Sequence, residues 1–316
     1  MKYNIGLDIS KKEFHACLDE GSLVERFGTD KVGIECFLRR LFGLKMTKGK
    51  TLIGMEATGS YHMPVAYLCS QAGYRVQIIN PLITKRRNQT KLRRVKTDKT
   101  DAKLVRLCLM DGEGYPFRET AETIKLKTLV RQRSRYSMLR HRMRLKSEEV
   151  KHRESYLDIQ ITDLDEELHK LLDEKVHELD VRLRRYDSGT QKLLQSIPGV
   201  GPQTAVTCLS EIGDITRFPD AQKLTAWLGL DPRVHESGTS IHGKGYISKR
   251  GNKLLRTRLN NAASVAVLHE NMFQDFFLKK RNEGKPYRVA LCAVMRKMVH
   301  VIHAVWTRKT PFIPNP

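Results

Sequence analysis

Four carboxylates at three places in the first third of the chain have the settings for metal-dependent work on phosphodiesters. Asp8 lies inside Asn4-Ile5-Gly6-Leu7-Asp8-Ile9-Ser10, and Glu56 follows Thr51-Leu52-Ile53-Gly54-Met55. Asp98 and Asp101 lie in Lys96-Thr97-Asp98-Lys99-Thr100-Asp101-Ala102-Lys103. One carboxylate from each of two neighbouring strands, with an i, i+3 pair on one helix face, can surround two divalent ions. Two metals about 4 Å apart clamp the attacking and leaving oxygens of a phosphodiester. Mg2+ suits carboxylates because it is hard and keeps waters. Asp98 and Asp101 lie in a strongly basic run, where surface acids can simply neutralise their neighbours, and any one acid is as well explained in that way. Four in this arrangement point to chemistry.

A second constellation is Val234-His235-Glu236-Ser237-Gly238-Thr239-Ser240, followed by Gly243, Lys244, Gly245, Ser248, Lys249 and Arg250. A serine in a glycine-bearing, cation-rich loop can attack a phosphate while Lys and Arg stabilise the developing charge. By spacing alone, such a segment is usually no more than a loop. A third is Ser196-Ile197-Pro198-Gly199-Val200-Gly201 ahead of a helix-like stretch from Pro202. Gly199 and Gly201 around one apolar residue make a tight turn that offers backbone N–H groups to a phosphate. The pattern is that of a helix-hairpin-helix; a plain helix–helix turn reads the same way.

These residues need a scaffold, and the chain predicts one. Strands are expected over residues 3–9, 13–19, 51–56 and 75–80, with helices around 32–44 and 61–72. That alternation implies an α/β sheet. From 85 to 106 the chain is strongly basic: Lys85, Arg86, Arg87, Lys91, Arg93, Arg94 and Lys96 lead a run flanking only Asp98 and Asp101. Between Pro116 and Gly189 there is neither glycine nor proline. Leu157, Ile161, Leu164, Leu168 and Leu171 recur there at spacings of four and three, which predicts an antiparallel pair of long helices with a heptad seam. Arg140 and Arg144 belong to its basic first part. A mainly helical third part begins near Gln191.

The 316 residues carry a net charge of +22 and a pI of about 9.8. That excess points to a polyanionic partner, with phosphate backbones the best fit. No run of about 18 apolar residues occurs, so no span of a bilayer is expected, and the N-terminus reads as strand and not as a signal peptide. Six scattered cysteines suggest reduced thiols in a cytoplasm. Tyr61, Trp227 and Tyr246 offer rings for base stacking, although core packing suits Trp227 better.

GLDIS, GMEATGSY, INP, KTDKTDA, SIPGVGPQTA, LGLDPR, HESGTSIHGKGYISKRGN and VMRKM follow one another along the chain. In that order they resemble the DEDD-type insertion-sequence transposases of the insertion-sequence one-ten family, the bridge-RNA-guided serine recombinases. The resemblance covers essentially the whole sequence; KTDKTDA and the ESGTS…SKRGN segment are its specific parts. It implies α/β plus α architecture: a RuvC-like ribonuclease H domain (1–118), a helical coiled-coil region (119–190) and a transposase domain (191–316). It implies that Asp8, Glu56, Asp98 and Asp101 are the catalytic acids holding Mg2+. It also implies that Ser237 attacks DNA to form a phosphoserine link. The implied partners are donor and target double-stranded DNA, a structured non-coding guide RNA, and further copies of the chain: a dimer, and a tetramer during exchange. An RNA that reads sequence leaves the protein to hold backbone geometry, which needs charge more than a recognition helix. Lys85, Arg86, Arg87, Lys91, Arg93, Arg94, Lys96, Arg140, Arg144, Gly199, Gly201, Lys244, Lys249 and Arg250 are the expected contacts. The expected location is the bacterial cytoplasm, at the nucleoid. Two alternatives stay open: a junction-cutting nuclease in which metals activate water, and a non-catalytic nucleic-acid-binding protein.

Overall fold

A computed structural model describes residues 3–19, 23–57, 59–89, 98–157, 162–186, 189–232, 247–269 and 271–314. At 89, 98, 99, 157 and 162–164 it describes the backbone alone. The chain divides into two compact units, Met1–Ala121 and Glu122–Pro316.

The first unit is a six-stranded mixed sheet with helices on both faces. In chain order it runs β1 (Tyr3–Ile9), β2 (Glu13–Cys17), β3 (Val24–Gly28), α1 (Lys31–Gly43), β4 (Thr51–Glu56), α2 (His62–Gln71), β5 (Arg75–Ile79), α3 (Pro81–Gln89), α4 (Asp98–Met110) and β6 (Tyr115–Pro116). The strand order is β3-β2-β1-β4-β5-β6. β1, β4 and β5 are parallel neighbours and the others pair antiparallel. The period-2 alternation of a strand sorts its residues between the two faces. Ile5, Leu7, Ile9, Ile53, Met55, Val76 and Ile78 join Ile34, Phe37 and Leu41 of α1 and Val65, Ala66 and Cys69 of α2 in one core. Leu52 and Ile79 face the other way, onto Val105, Cys108 and Leu109 of α4. The expected strands and helices are present. β3 and β6 are additions: β3 is short and half exposed, and β6 hides within the turn-rich Asp111–Pro116 stretch. Pro81 does stop β5, and it also opens α3, where its missing N–H costs nothing.

The second unit is helical. α5 (Ala121–Leu157) and α6 (Thr162–Arg184) are joined by the ion pairs Arg133–Asp180 at 2.9 Å, Arg140–Asp173 at 2.5 Å and Lys151–Glu166 at 3.7 Å. As one partner's number rises the other's falls, so the two helices run antiparallel, as predicted. The seam is not the predicted one. Leu168 and Leu171 are about half exposed, while Leu172, Val176, Leu179 and Leu183 are buried. The spacing of four and three is kept, one position along. On α5 the matching buried positions begin at Leu126 and Val130, and further out the facing residues are Arg and Ser.

Beyond the pair come α7 (Gly189–Gln195), α8 (Pro202–Ile212), a 3-10 turn (Ile215–Arg217), α9 (Ala221–Trp227), α10 (Lys253–Ala266), α11 (Met272–Asn282) and α12 (Tyr287–Arg308). α12 is, by length and composition, long and apolar enough to cross a membrane, with a mean hydropathy of 1.4 over its most apolar stretch. That departs from the expectation of no such segment. Yet Ala290, Leu291, Val294, Met295, Met298, Val299, Ile302 and Val305 are buried on α12 and sit in the core shared with α7–α11. The six cysteines are all free thiols; burial pushes those of Cys69 and Cys208 up to about 12, which leaves them inert packing groups.

Candidate active site

The acids of the first unit are positioned by strand register and by two glycines. In the parallel ladder of β1 and β4, Gly6 stands opposite Gly54 and Leu7 opposite Met55. Asp8 and Glu56 take the next position, side by side on the same face, on strands about 5 Å apart. Both sit at the carboxyl ends of parallel strands, where open α/β sheets place their ligands. Gly6 and Gly54 project to that same face, and α4 lies on them. A Cβ on Gly6 would come within 2.2 Å of the Ala102 carbonyl oxygen and 2.3 Å of the Arg106 nitrogen, and one on Gly54 within 2.5 Å of Leu109. Arg106 Nε also donates to the Asn4 carbonyl at 2.9 Å. α4 therefore runs against the direction of β1. Its first turn, which carries Asp98 and Asp101, is directed to the strand end that carries Asp8.

Asp8, Glu56 and Asp101 are half-buried. Glu56 accepts a hydrogen bond of 2.5 Å from Thr84 Oγ1 on α3. Opposite Asp8 on the antiparallel side stands His15 of β2. Neither Thr84 nor His15 was singled out from sequence. The hairpin numbering across Ser10–Glu13 was the available signal for His15; Thr84 had none. Among the described residues, no three His, Cys, Asp or Glu side chains are grouped closely enough to hold a metal ion. Asp8 and Glu56 are nonetheless adjacent hard oxygen donors of the type Mg2+ takes, and the Asp98 side chain lies outside the described residues.

Ser237 and Lys244, like Tyr246, lie outside the described residues, but the residues on both sides of 233–246 are described. Gly229, at φ +68°, packs its α-carbon against the backbone of Arg250 and Gly251. Lys249 N donates to Gly229 O at 3.0 Å and Ser248 N to Asp231 O at 2.9 Å. Ser248 Oγ donates to Asp231 Oδ1 at 2.5 Å, and Pro232 bridges Ile247. Arg256 donates to Leu228 O at 2.8 Å and Arg296 to Leu230 O at 2.6 Å. Asn252 caps α10 through the Leu255 N–H and donates at 2.7 Å to Glu211, a buried carboxylate that also takes both arms of Arg131 at 2.8 and 2.9 Å. The 233–246 segment thus starts and ends on one fixed base. Lys249 and Arg250 are exposed on that base, Lys249 in the left-handed conformation at φ +54°.

The other expected contacts divide. Lys85 and Arg86 are exposed on α3, whereas Arg87 is half-buried and ion-paired with Asp111. Lys91, Arg93, Arg94 and Lys96 lie outside the described residues. Arg140 and Arg144 are paired with Asp173 and Glu148. Gly199, at φ +83°, has Ala262 O only 2.2 Å from where a Cβ would be, so its local duty is to let α10 approach. Gly201 is exposed at the start of α8 with open space beside it. Tyr61 is 45% exposed, while Trp227 is half-buried against Phe218 under the Arg217 guanidinium.

Residues 5–150 match the DEDD transposase family model, and residues 191–278 match the model described as the transposase IS116/IS110/IS902 family. The chain is 31% identical to the pilin gene-inverting protein of Moraxella lacunata, over 98% of each chain. It is 29% identical to that of Moraxella bovis, again over 98% of each. It is 38% identical over 122 residues to the transposase for insertion sequence element IS1111A of Coxiella burnetii, covering 38% of this chain and 33% of that one.

Proposed function

The chain belongs to the IS116/IS110/IS902 family of transposases, DNA-cleaving and rejoining enzymes, and on that premise we propose that it is an RNA-guided serine recombinase. In this reading Ser237 Oγ attacks a DNA phosphodiester. The serine takes the phosphorus, a 3′-hydroxyl leaves with the proton, and a later attack by another 3′-hydroxyl reverses the step on a new partner. The bond energy is kept in the phosphoserine link, so no external energy source is needed.

The observation that carries the reading is the fixed arrangement of residues 228–232 and 247–252, which bracket Ser237 in the chain. A nucleophile must be held to well under an ångström to be useful, and five hydrogen bonds plus a buried carboxylate anchor the residues on either side of 233–246. The relatives from Moraxella lend a second support. Inverting a gene segment requires every cut end to be rejoined, which a covalent intermediate guarantees and hydrolysis does not.

Asp8, Glu56, Asp98 and Asp101 would hold Mg2+, which when bound supplies charge stabilisation to the reacting phosphate. The residues themselves contribute orientation: the shared register of Asp8 and Glu56, and the Thr84 hydroxyl on Glu56. The first unit is then the RuvC-like domain 1–118, followed by the helical region 119–190 and the transposase domain 191–316. Donor and target DNA and a structured RNA would lie along Lys85, Arg86, Lys249 and Arg250, with acids and serine coming from different copies in a dimer or tetramer. It would act at the nucleoid in the bacterial cytoplasm. The test is to incubate protein, co-purifying RNA, donor and target DNA with Mg2+ and to look for a covalent protein–DNA adduct. Wild type should give one and Ser237→Ala none; cleavage persisting in the variant would favour water-activating nuclease chemistry.

A further inference from the structure

The outer half of the α5–α6 pair departs from what two packed helices want. At the inner end the facing positions are Leu126, Val130, Leu179 and Leu183, all buried. Further out, the same heptad spacing on α5 brings Ser137, Arg140 and Arg144 to the position where leucines would close the seam. The result is a cleft of about 370 Å³ lined by Ser137, Arg140, His141, Arg144, His169 and Asp173.

Its contents are those of an oxyanion site. The Ser137 hydroxyl is fully shielded and has no hydrogen-bond partner among the described residues. A buried hydroxyl left this way costs free energy, and such groups are rare in folded proteins. Arg140 Nη1 meets Asp173 Oδ1 at 2.5 Å and Arg144 Nε meets Glu148 Oε1 at 3.2 Å. Each guanidinium has five N–H donors, so each contact leaves several, and the Asp173 carboxylate fixes the fork of Arg140 at the cleft. His141 and His169 add ring nitrogens from both helices. Two histidines and an aspartate suggest a metal at first sight, but they are not grouped so as to hold one.

We propose that this cleft seats one phosphate of a nucleic-acid backbone, with Ser137 Oγ, Arg140 and Arg144 as donors. The two free oxygens of a monoanionic phosphodiester can accept from the orphan hydroxyl and the spare N–H groups together, and the chain's charge of +22 selects polyanions. The inference rests on the chain's action on nucleic acid and is independent of the serine step.

The test uses the full chain, a fluorescein-labelled DNA duplex of 20 base pairs and a labelled RNA hairpin of matching stem, with anisotropy read across a salt series. Ser137→Leu keeps every charge and fills the cleft with the side chain that the seam would otherwise take. It should weaken binding of one probe about tenfold and lower the slope of log K against log salt by about one, while the melting temperature stays level or rises. Ser137→Ala, which leaves the cleft open, should cost about threefold on the same probe. The probe that loses affinity identifies the strand seated there. If Ser137→Leu does not fold, Ser137→Ala decides. Binding of both probes within twofold of wild type with an unchanged salt slope would overturn the proposal, and adduct formation at Ser237 would be untouched by that result.

Discussion

Gly6→Ala is the sharpest perturbation of the acid site that leaves every acid in place. The new Cβ would lie 2.2 Å from Ala102 O, 2.3 Å from Arg106 N and 2.9 Å from Arg106 Cα, where ordinary contact begins at 3.4 Å. All three neighbours are helix backbone, so no side chain can swing aside, and α4 must lift by about 1 Å. Overpacking of this kind costs about 1–3 kcal/mol, or roughly 5–10 °C in the melting of the first unit. The chemical cost should be of similar size, because a displacement of about 1 Å at a reacting centre is worth about 100-fold in rate, or about 2.7 kcal/mol. α4 carries Asp98 and Asp101 past the strand end that bears Asp8. Recombination turnover and thermal unfolding are measured together, with Gly49→Ala as control because nothing lies within 4 Å of that position. Gly54→Ala should fall between the two, since its new Cβ meets the Leu109 side chain and not backbone. Wild-type turnover in Gly6→Ala would refute the claim that α4 must sit on β1 for activity.

Asp101→Asn should abolish recombination yet leave RNA and DNA binding within a few-fold, with affinity still falling steeply in salt; a large loss of binding would make Asp101 a structural residue. Glu211→Ala should destabilise the second unit by about 1–3 kcal/mol, because it removes the buried acceptor shared by Arg131 and Asn252; calorimetry showing no change would refute the anchoring role. At Asp180 burial opposes ionisation, but the Arg133 hydrogen bonds and charge, with Gln203, hold the carboxyl below its ordinary value near 3.8. Its contribution to stability is therefore present above that value and lost as pH falls beneath it. The stability gap between wild type and Asp180→Asn should shrink below about pH 4 in acid denaturation; a constant gap would show that Asp180 gains nothing from being charged.

The sheet was legible because its strands are apolar and bounded by turn residues. Ile5, Leu7 and Ile9 alternate cleanly with the Gly6 and Asp8 that face α4. β3 was not legible, because Val24–Gly28 is short and half exposed and carries Glu25 and Arg26. The antiparallel helix pair was visible in the absence of Gly and Pro, but its seam was misplaced by one position: α6 has leucines on adjacent faces at 171 and 172, and local spacing does not say which faces the partner. Asp8, Glu56 and Asp101 were singled out by residue type and family likeness. What sequence withheld was the packing around them, the two glycines under α4 and Thr84 on Glu56, and, in the second unit, the Glu211 carboxylate that holds Asn252 and Arg131. Each joins residues far apart in the chain, and no local pattern encodes such a contact.

The central claim is that Ser237 carries the DNA between cutting and rejoining. The most direct measurement is to trap the reaction, digest the protein–DNA adduct with trypsin and fragment the DNA-linked peptide spanning 234–244 by mass spectrometry. The account predicts a nucleotide on Ser237, not on Thr239 or Ser240. A nucleotide on any other residue, or cut DNA with no protein attached, would contradict it.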